Sequence, residues 1–215
     1  MEKFDVCIPT LNSGKTLERC LKKIVEIIPY RKIIIADGYS KDNTVEIAKK
    51  YGCEIFRTKK SLGEVREELI KRVKTEWFFF IDADIEINEK WFKILVKNRN
   101  KNIGAIHGFG LTYGFIGFFR KLIIFLKIKF GIDQRGFTSN TLINKNAVKR
   151  VKLPKVKRLE DIVLQEHIRK NGYEWKFVLA FCKHMKSEKR IIKEALRDLK
   201  NLTKEKGLIE AILRI

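Results

Sequence analysis

Asp82 and Asp84 flank one small residue, Ala83, directly after the apolar run Phe78-Phe79-Phe80-Ile81. Four consecutive large apolar residues predict a strand buried on both faces of a mainly parallel sheet. A strand of that kind delivers whatever follows it to the carboxyl edge of the sheet, where open α/β sheets bind ligands. Two carboxylates placed there are hard oxygen donors suited to Mg²⁺ or Mn²⁺ carrying a diphosphate. The same spacing also suits an ordinary turn with solvated acids, so the pair needs support from the rest of the chain.

The elements that must position these acids follow from periodicity. Short apolar runs predict strands over 4–8, 32–36, 53–57 and 77–81. Between them, Leu17, Cys20, Leu21, Ile24, Val25 and Ile28 recur at helical spacing, predicting a helix over 14–28. A second helix over 44–51 is stopped by Gly52, and Ser61 with Glu64 forms a capping-box pattern that opens a third, to about Val73. Asn88 is placed to cap a fourth, which carries Trp91, Leu95 and Val96. Four alternations of strand and helix predict a doubly wound α/β sheet with helices on both faces. The second half is less regular. Strands are predicted over 103–107, 139–143 and 175–180, a helix over 160–170 closed by Asn171-Gly172, and a basic amphipathic helix over 188–215. The expected organisation is a single domain over 1–187, with a nucleotide-binding half (1–107) and a short mixed acceptor-side half (108–187).

Composition narrows the function classes. The chain has 215 residues, 45% of them hydrophobic, with 15 Phe, which argues for a packed core rather than disorder. Its net charge of +21 favours anionic partners: nucleic acid, an anionic membrane face or phosphorylated small molecules. Cys7, Cys20, Cys53 and Cys182 form no C-x-x-C pair, so a zinc site is not expected, and free thiols point to a reducing cytoplasm. The chain starts directly on a strand, without the pattern of a secretory signal peptide. There is no G-x-G-x-x-G after the first strand and no G-x-x-x-x-G-K-[ST], which argues against a dinucleotide cofactor and a P-loop. Phosphate would have to be handled by a metal and by basic side chains such as Arg66.

Four features occur in order: Pro9-Thr10-Leu11-Asn12 after the first strand, Asp37-Gly38-Tyr39-Ser40-Lys41-Asp42-Asn43-Thr44 after the second, Gly63-x-x-Arg66 opening a helix, and Asp82-Ala83-Asp84. Glu160-Asp161, opening a later helix, is a fifth. Taken together over about residues 3–185, the chain resembles the family 2 glycosyltransferases, which have the GT-A fold. The resemblance implies an inverting, metal-dependent transfer of one sugar from a UDP- or GDP-sugar to a glycan or polyprenyl-linked acceptor. It implies that Pro9, Thr10, Leu11, Asn12, Asp37, Arg66, Asp82 and Ala83 hold the nucleotide. Asp82, Asp84 and His184 would bind Mn²⁺ or Mg²⁺. Asp161 would be the base, with Glu160 positioning the acceptor or the helix. Residues 136–146 resemble the family's acceptor-side segment. Two departures stand out: Gly38 follows Asp37 where many members have a second acid, and Glu67 follows Arg66 where Asn is common.

Each residue also has a plainer reading. Asn12 and Ser13 suit a helix cap, Asp37 a turn, Arg66 a surface helix, His184 a simply exposed residue just after the last strand, and Glu160 and Asp161 a helix amino terminus favoured by its dipole. Residues 108–132 mix Phe115, Phe118, Phe119, Leu122, Ile123, Phe125 and Leu126 with Arg120, Lys121, Lys127 and Lys129. That pattern suits either a helix lying on an anionic membrane or a buried helical hairpin with snorkelling lysines. Two other function classes compete. A sugar-phosphate nucleotidyltransferase would want a Gly- and Arg-rich phosphate loop after the first strand, which is missing. A basic nucleic-acid-binding protein would want exposed aromatics among its lysines, whereas the aromatics here fall mostly in strand-like runs; no nucleic-acid partner is expected.

Overall fold

In a computed structural model, the chain is described over residues 2–111, 115–130, 136–155 and 159–185, with backbone alone for 115–120. The basic helix expected over 188–215 lies outside the described residues. The elements run β1 (Phe4–Thr10), α1 (Gly14–Ile27), β2 (Tyr30–Asp37), α2 (Thr44–Lys50), β3 (Glu54–Arg57), α3 (Leu62–Arg72), β4 (Trp77–Ile81), β5 (Ile85–Glu86), α4 (Glu89–Lys97), β6 (Ile103–Leu111), α5 (Phe115–Lys129), β7 (Asn140–Asn144), a 3-10 turn at Lys145–Val148, α6 (Glu160–Lys170) and β8 (Glu174–His184).

The strands form one eight-stranded sheet in the order β3-β2-β1-β4-β7-β6-β8-β5. The β3-β2-β1-β4 half is parallel throughout. β7 then inserts antiparallel between β4 and β6, and β8 returns parallel to β6. The α/β class and the mainly parallel sheet with a mixed second half are as expected. The sheet carries strands from both halves of the sequence.

Strand alternation explains how one run of Phe serves two cores. Phe79 and Ile81 face α1, α2 and α4, packing with Leu21, Ile24, Ile47, Trp91 and Leu95. Phe78 and Phe80 face α3 and α6, packing with Val65, Leu69, Leu164 and Ile168. All five residues of β4 are buried. Burying an aromatic or aliphatic side chain contributes roughly 1.5–3 kcal/mol each, so the run fixes β4 at the centre of the molecule. It therefore fixes where Asp82 emerges.

Several boundaries differ from expectation. β1 runs through Pro9 to Thr10. β4 pairs with β1 only as far as Cys7, so one side of the strand is open at Pro9 and a missing N–H is tolerated there. Ser13 is the residue before α1, but its side chain makes no capping bond. The Gly14 N–H is accepted instead by Asp42 Oδ2, at 2.9 Å. β8 extends past Ala180 because its later residues pair with Phe109–Leu111 of β6 and with β5. His184 is consequently the last residue of the strand rather than a residue of the following loop. The other signals behave as read: Ser61 and Glu64 form a full capping box, Asn88 Oδ1 accepts from Trp91 N–H, and Gly52 and Gly172 take positive φ after their helices. Among the described residues, no helix is long and apolar enough to cross a membrane.

Candidate active site

A cleft of about 730 Å³ opens at the carboxyl ends of β1, β2 and β4. Pro9, Thr10, Leu11 and Asn12 form one wall, Gly38 and Thr58 another, and Arg66, Asp82, Ala83 and Asp84 the floor and far side. Sequence reasoning missed Lys15, Arg19 and Lys60, which also line it. Lys15 and Arg19 lie four residues apart at the start of α1, one helical turn, and that spacing was the available signal.

The first two loops lock to each other. Ser40 Oγ accepts from Asn12 N–H at 2.8 Å, and Asn12 Oδ1 accepts from Lys41 N–H at 2.9 Å. Asn12 and Tyr39 both hold positive φ, 50° and 63°. Non-glycine residues keep that conformation only where the surroundings enforce it. Behind the loops, the Asp37 carboxylate is fully buried and accepts from Ser40 N–H (3.0 Å) and from the Ser40 and Thr10 hydroxyls. Arg57 Nε also donates to it, at 3.3 Å. The structure thus places Asp37 behind the wall as its organiser, with Ala36 and Gly38 beside it facing the cleft.

The acid pair sits on a pinned turn. Asp82 N–H donates to Ser139 O at 2.8 Å, Ile85 N–H closes the turn onto Asp82 O at 3.0 Å, and Met185 N–H donates to Asp84 O at 2.8 Å. β7 and the end of β8 therefore hold the turn that β4 delivers. Asp84 Oδ1 and His184 Nε2 stand 3.9 Å apart. Among the described residues, no three acidic, His or Cys side chains cluster closely enough to hold an ion, so the expected trio of Asp82, Asp84 and His184 is brought together only as this one close pair.

Asp82 turns instead to Arg66. Arg66 Nη2 donates to Asp82 Oδ1 and Arg66 Nε to Glu160 Oε1, both at 3.2 Å. The guanidinium is 3% exposed and lies over the Phe80 ring, 5.0 Å from its centroid. Its Nη1 has no hydrogen-bond partner. The surface-arginine reading is therefore excluded. Burial works to lower the Arg66 pKa, and the Asp82 and Glu160 carboxylates outweigh it, holding the group above its ordinary value. Burial pushes the Glu160 carboxyl up, against the pull of Arg66.

Gly63 makes this contact geometrically available. A Cβ there would sit 2.4 Å from Pro154 O and 3.4 Å from Glu160 Cβ. Only a residue without a side chain lets Leu153, Pro154 and Glu160 lie this close to α3, with Glu160 against Arg66. Leu159 enters α6 with φ 73°, and Glu160 and Asp161 follow, both buried. Asp161 Oδ1 accepts from Ile162 N–H at 3.0 Å.

These features agree with the comparisons. Residues 5–152 match Glycosyl transferase family 2. The chain belongs to that family, with a GT-A type α/β fold. It is 31% identical over 77 residues to the SPbeta prophage-derived glycosyltransferase SunS of Bacillus subtilis, and 28% identical over 103 residues to the poly(ribitol-phosphate) beta-N-acetylglucosaminyltransferase TarS of Staphylococcus aureus. Those alignments cover 34% and 43% of this chain and 18% of each relative's own length. In fold it is similar to glucosyl-3-phosphoglycerate synthase of Mycobacterium tuberculosis in complex with Mn²⁺, UDP and glucosyl-3-phosphoglycerate. The TM-score is 0.67 with 17% identity, over 89% of this chain and 75% of that one.

Proposed function

We propose that this chain is an inverting glycosyltransferase that moves one sugar from a UDP- or GDP-sugar to a glycan or lipid-linked acceptor. The observation that carries this reading is the Arg66 guanidinium. It is clamped by Glu160 and Asp82 on two nitrogens, lines the cleft, and has a third nitrogen unpaired. A fixed guanidinium at the cleft suits the oxygens of a diphosphate. Lys15 adds positive charge at the cleft wall, while Arg19 and Lys60, also on the wall, are paired with Glu86 and Glu68. The interlocked loops of Asn12 and Ser40 preorganise the wall where base and ribose would lie. The fold neighbours from Mycobacterium tuberculosis bind UDP with Mn²⁺ or Mg²⁺, which supports a uridine nucleotide here.

A divalent ion fits the donor set. Asp84 and His184 supply hard oxygen and imidazole donors at the cleft corner, and Mg²⁺ or Mn²⁺ commonly takes one or two protein ligands plus substrate phosphates. Asp84 with His184 would hold the ion, with Asp82 beside them. When bound, it would neutralise charge on the departing diphosphate. Asp161 is the base of this reading. As the acceptor oxygen bonds to the anomeric carbon and the bond to the diphosphate oxygen breaks, its carboxylate takes the acceptor proton. Glu160 positions Arg66, and through it Asp82.

The test is thermal stabilisation by UDP, GDP, CMP and dTDP, each with Mn²⁺ or with chelator. A ligand at 100 times its Kd stabilises by about 2.7 kcal/mol, a readable melting shift. A Mn²⁺-dependent shift with one nucleoside diphosphate supports the reading. Steep, salt-sensitive binding to arbitrary DNA with no nucleotide shift would replace it with the nucleic-acid reading.

A further inference from the structure

We propose that the outer face of α5 docks on an anionic lipid bilayer, so that a lipid-linked acceptor meets the cleft at its β8 edge. This deepens the glycosyltransferase reading and rests on it for the acceptor alone.

Among the described residues, most apolar side chains of α5 are exposed. Ile124 is buried, while Leu122, Ile123, Phe125 and Leu126 around it are exposed, Ile123 at 50%. Phe130, just past the helix, is 68% exposed. A helix on a soluble surface keeps its apolar residues on one inward stripe; here they spread well beyond it, in one contiguous patch.

Charge selects the occupant. Lys121, Lys127 and Lys129 are exposed on the same helix, and no Asp or Glu occurs between Glu89 and Asp133. An apolar face bordered by lysines matches a bilayer, whose acyl region and anionic headgroups lie in adjacent planes. A second copy of α5 would set these lysines against their own counterparts. As described, α5 has 15 residues, fewer than the about 20 that a spanning helix needs.

The location connects the patch to the site. Lys121 Nζ lies 5.2 Å from the Phe181 ring centroid. Phe181 precedes His184 by three residues on β8, and His184 meets Asp84. α5 therefore rests on the strand segment that runs into the cleft corner.

Co-sedimentation of the full chain with vesicles of phosphatidylcholine plus phosphatidylglycerol, against phosphatidylcholine alone, tests this. The expected result is binding to the anionic vesicles only, weakened by salt. The double variants Ile123→Glu/Phe125→Glu and Lys127→Glu/Lys129→Glu should each lower the partition coefficient about tenfold or more. Their melting temperature and nucleotide shift should match wild type. No binding to anionic vesicles, or undiminished binding by both variants, overturns the proposal. A concentration-dependent dimer abolished by Ile123→Glu/Phe125→Glu, without vesicle binding, assigns the face to a second copy instead. The nucleotide shift is read on the same samples, so loss of docking and loss of the donor reading are separate results.

Discussion

Arg66 Nε donates to Glu160 Oε1 at 3.2 Å across 94 residues of sequence. This contact joins the α3 side of the sheet to the start of α6, and it sets the guanidinium that also holds Asp82. Two sequence features that a local reading treats as separate are thereby one unit. Removing Arg66 leaves two acids facing each other, one of them buried. Arg66→Ala should destabilise the chain by about 3–5 kcal/mol, the cost of breaking a buried pair. Chemical denaturation measures it.

Gly63→Ala distinguishes a packing requirement from a helix preference. In an unhindered helix the change would stabilise by about 1 kcal/mol. Here the new Cβ meets Pro154 O. Overpacking should instead cost about 1–3 kcal/mol, and nucleotide binding should weaken as Glu160 moves from Arg66. A stabilised variant with unchanged nucleotide binding would contradict the close-approach argument.

His107 predicts an acid limb of stability. Its ring is buried among Phe109, Phe137 and Phe177, with Nδ1 2.9 Å from Thr141 Oγ1. Burial lowers its pKa from 6.5 to about 4. The folded chain therefore refuses a proton that the unfolded chain accepts. Stability is full above about pH 6.5 and is lost as pH falls toward about 4, by on the order of 3 kcal/mol. His107→Gln should flatten that limb in urea titrations run across the same range.

Asp161→Asn separates the acceptor classes. A hydroxyl acceptor must lose a proton, so turnover should drop by about 10²–10⁴-fold while nucleotide binding persists. Near wild-type turnover would point to an acceptor that is already ionised, such as a phosphate.

Much of the fold was legible because its signals are local. The β4 run ends at Ile81 as read, and the Ser61–Glu64 box, the Asn88 cap and the glycines at 52 and 172 act within a few residues of themselves. The misplaced features depend on distant partners. β8 is longer than its own residues imply because β6 and β5 extend it. The cap on α1 comes from Asp42 rather than from Ser13. At the site, the residues of the cleft wall could be ranked from their order, but not the burial of Asp37 behind it. Nor could sequence show that Arg66 is a core residue, since a helical Arg between Val65 and Glu67 looks like any surface position.

The most direct test is equilibrium titration of UDP into wild type and Arg66→Lys, each with Mn²⁺ and with chelator. Lysine keeps the charge but not the fork that reaches Asp82, Glu160 and the cleft together. We predict saturable binding to wild type that requires Mn²⁺, weakened about tenfold or more in Arg66→Lys. Binding of equal strength in both proteins, indifferent to the metal, would contradict the account.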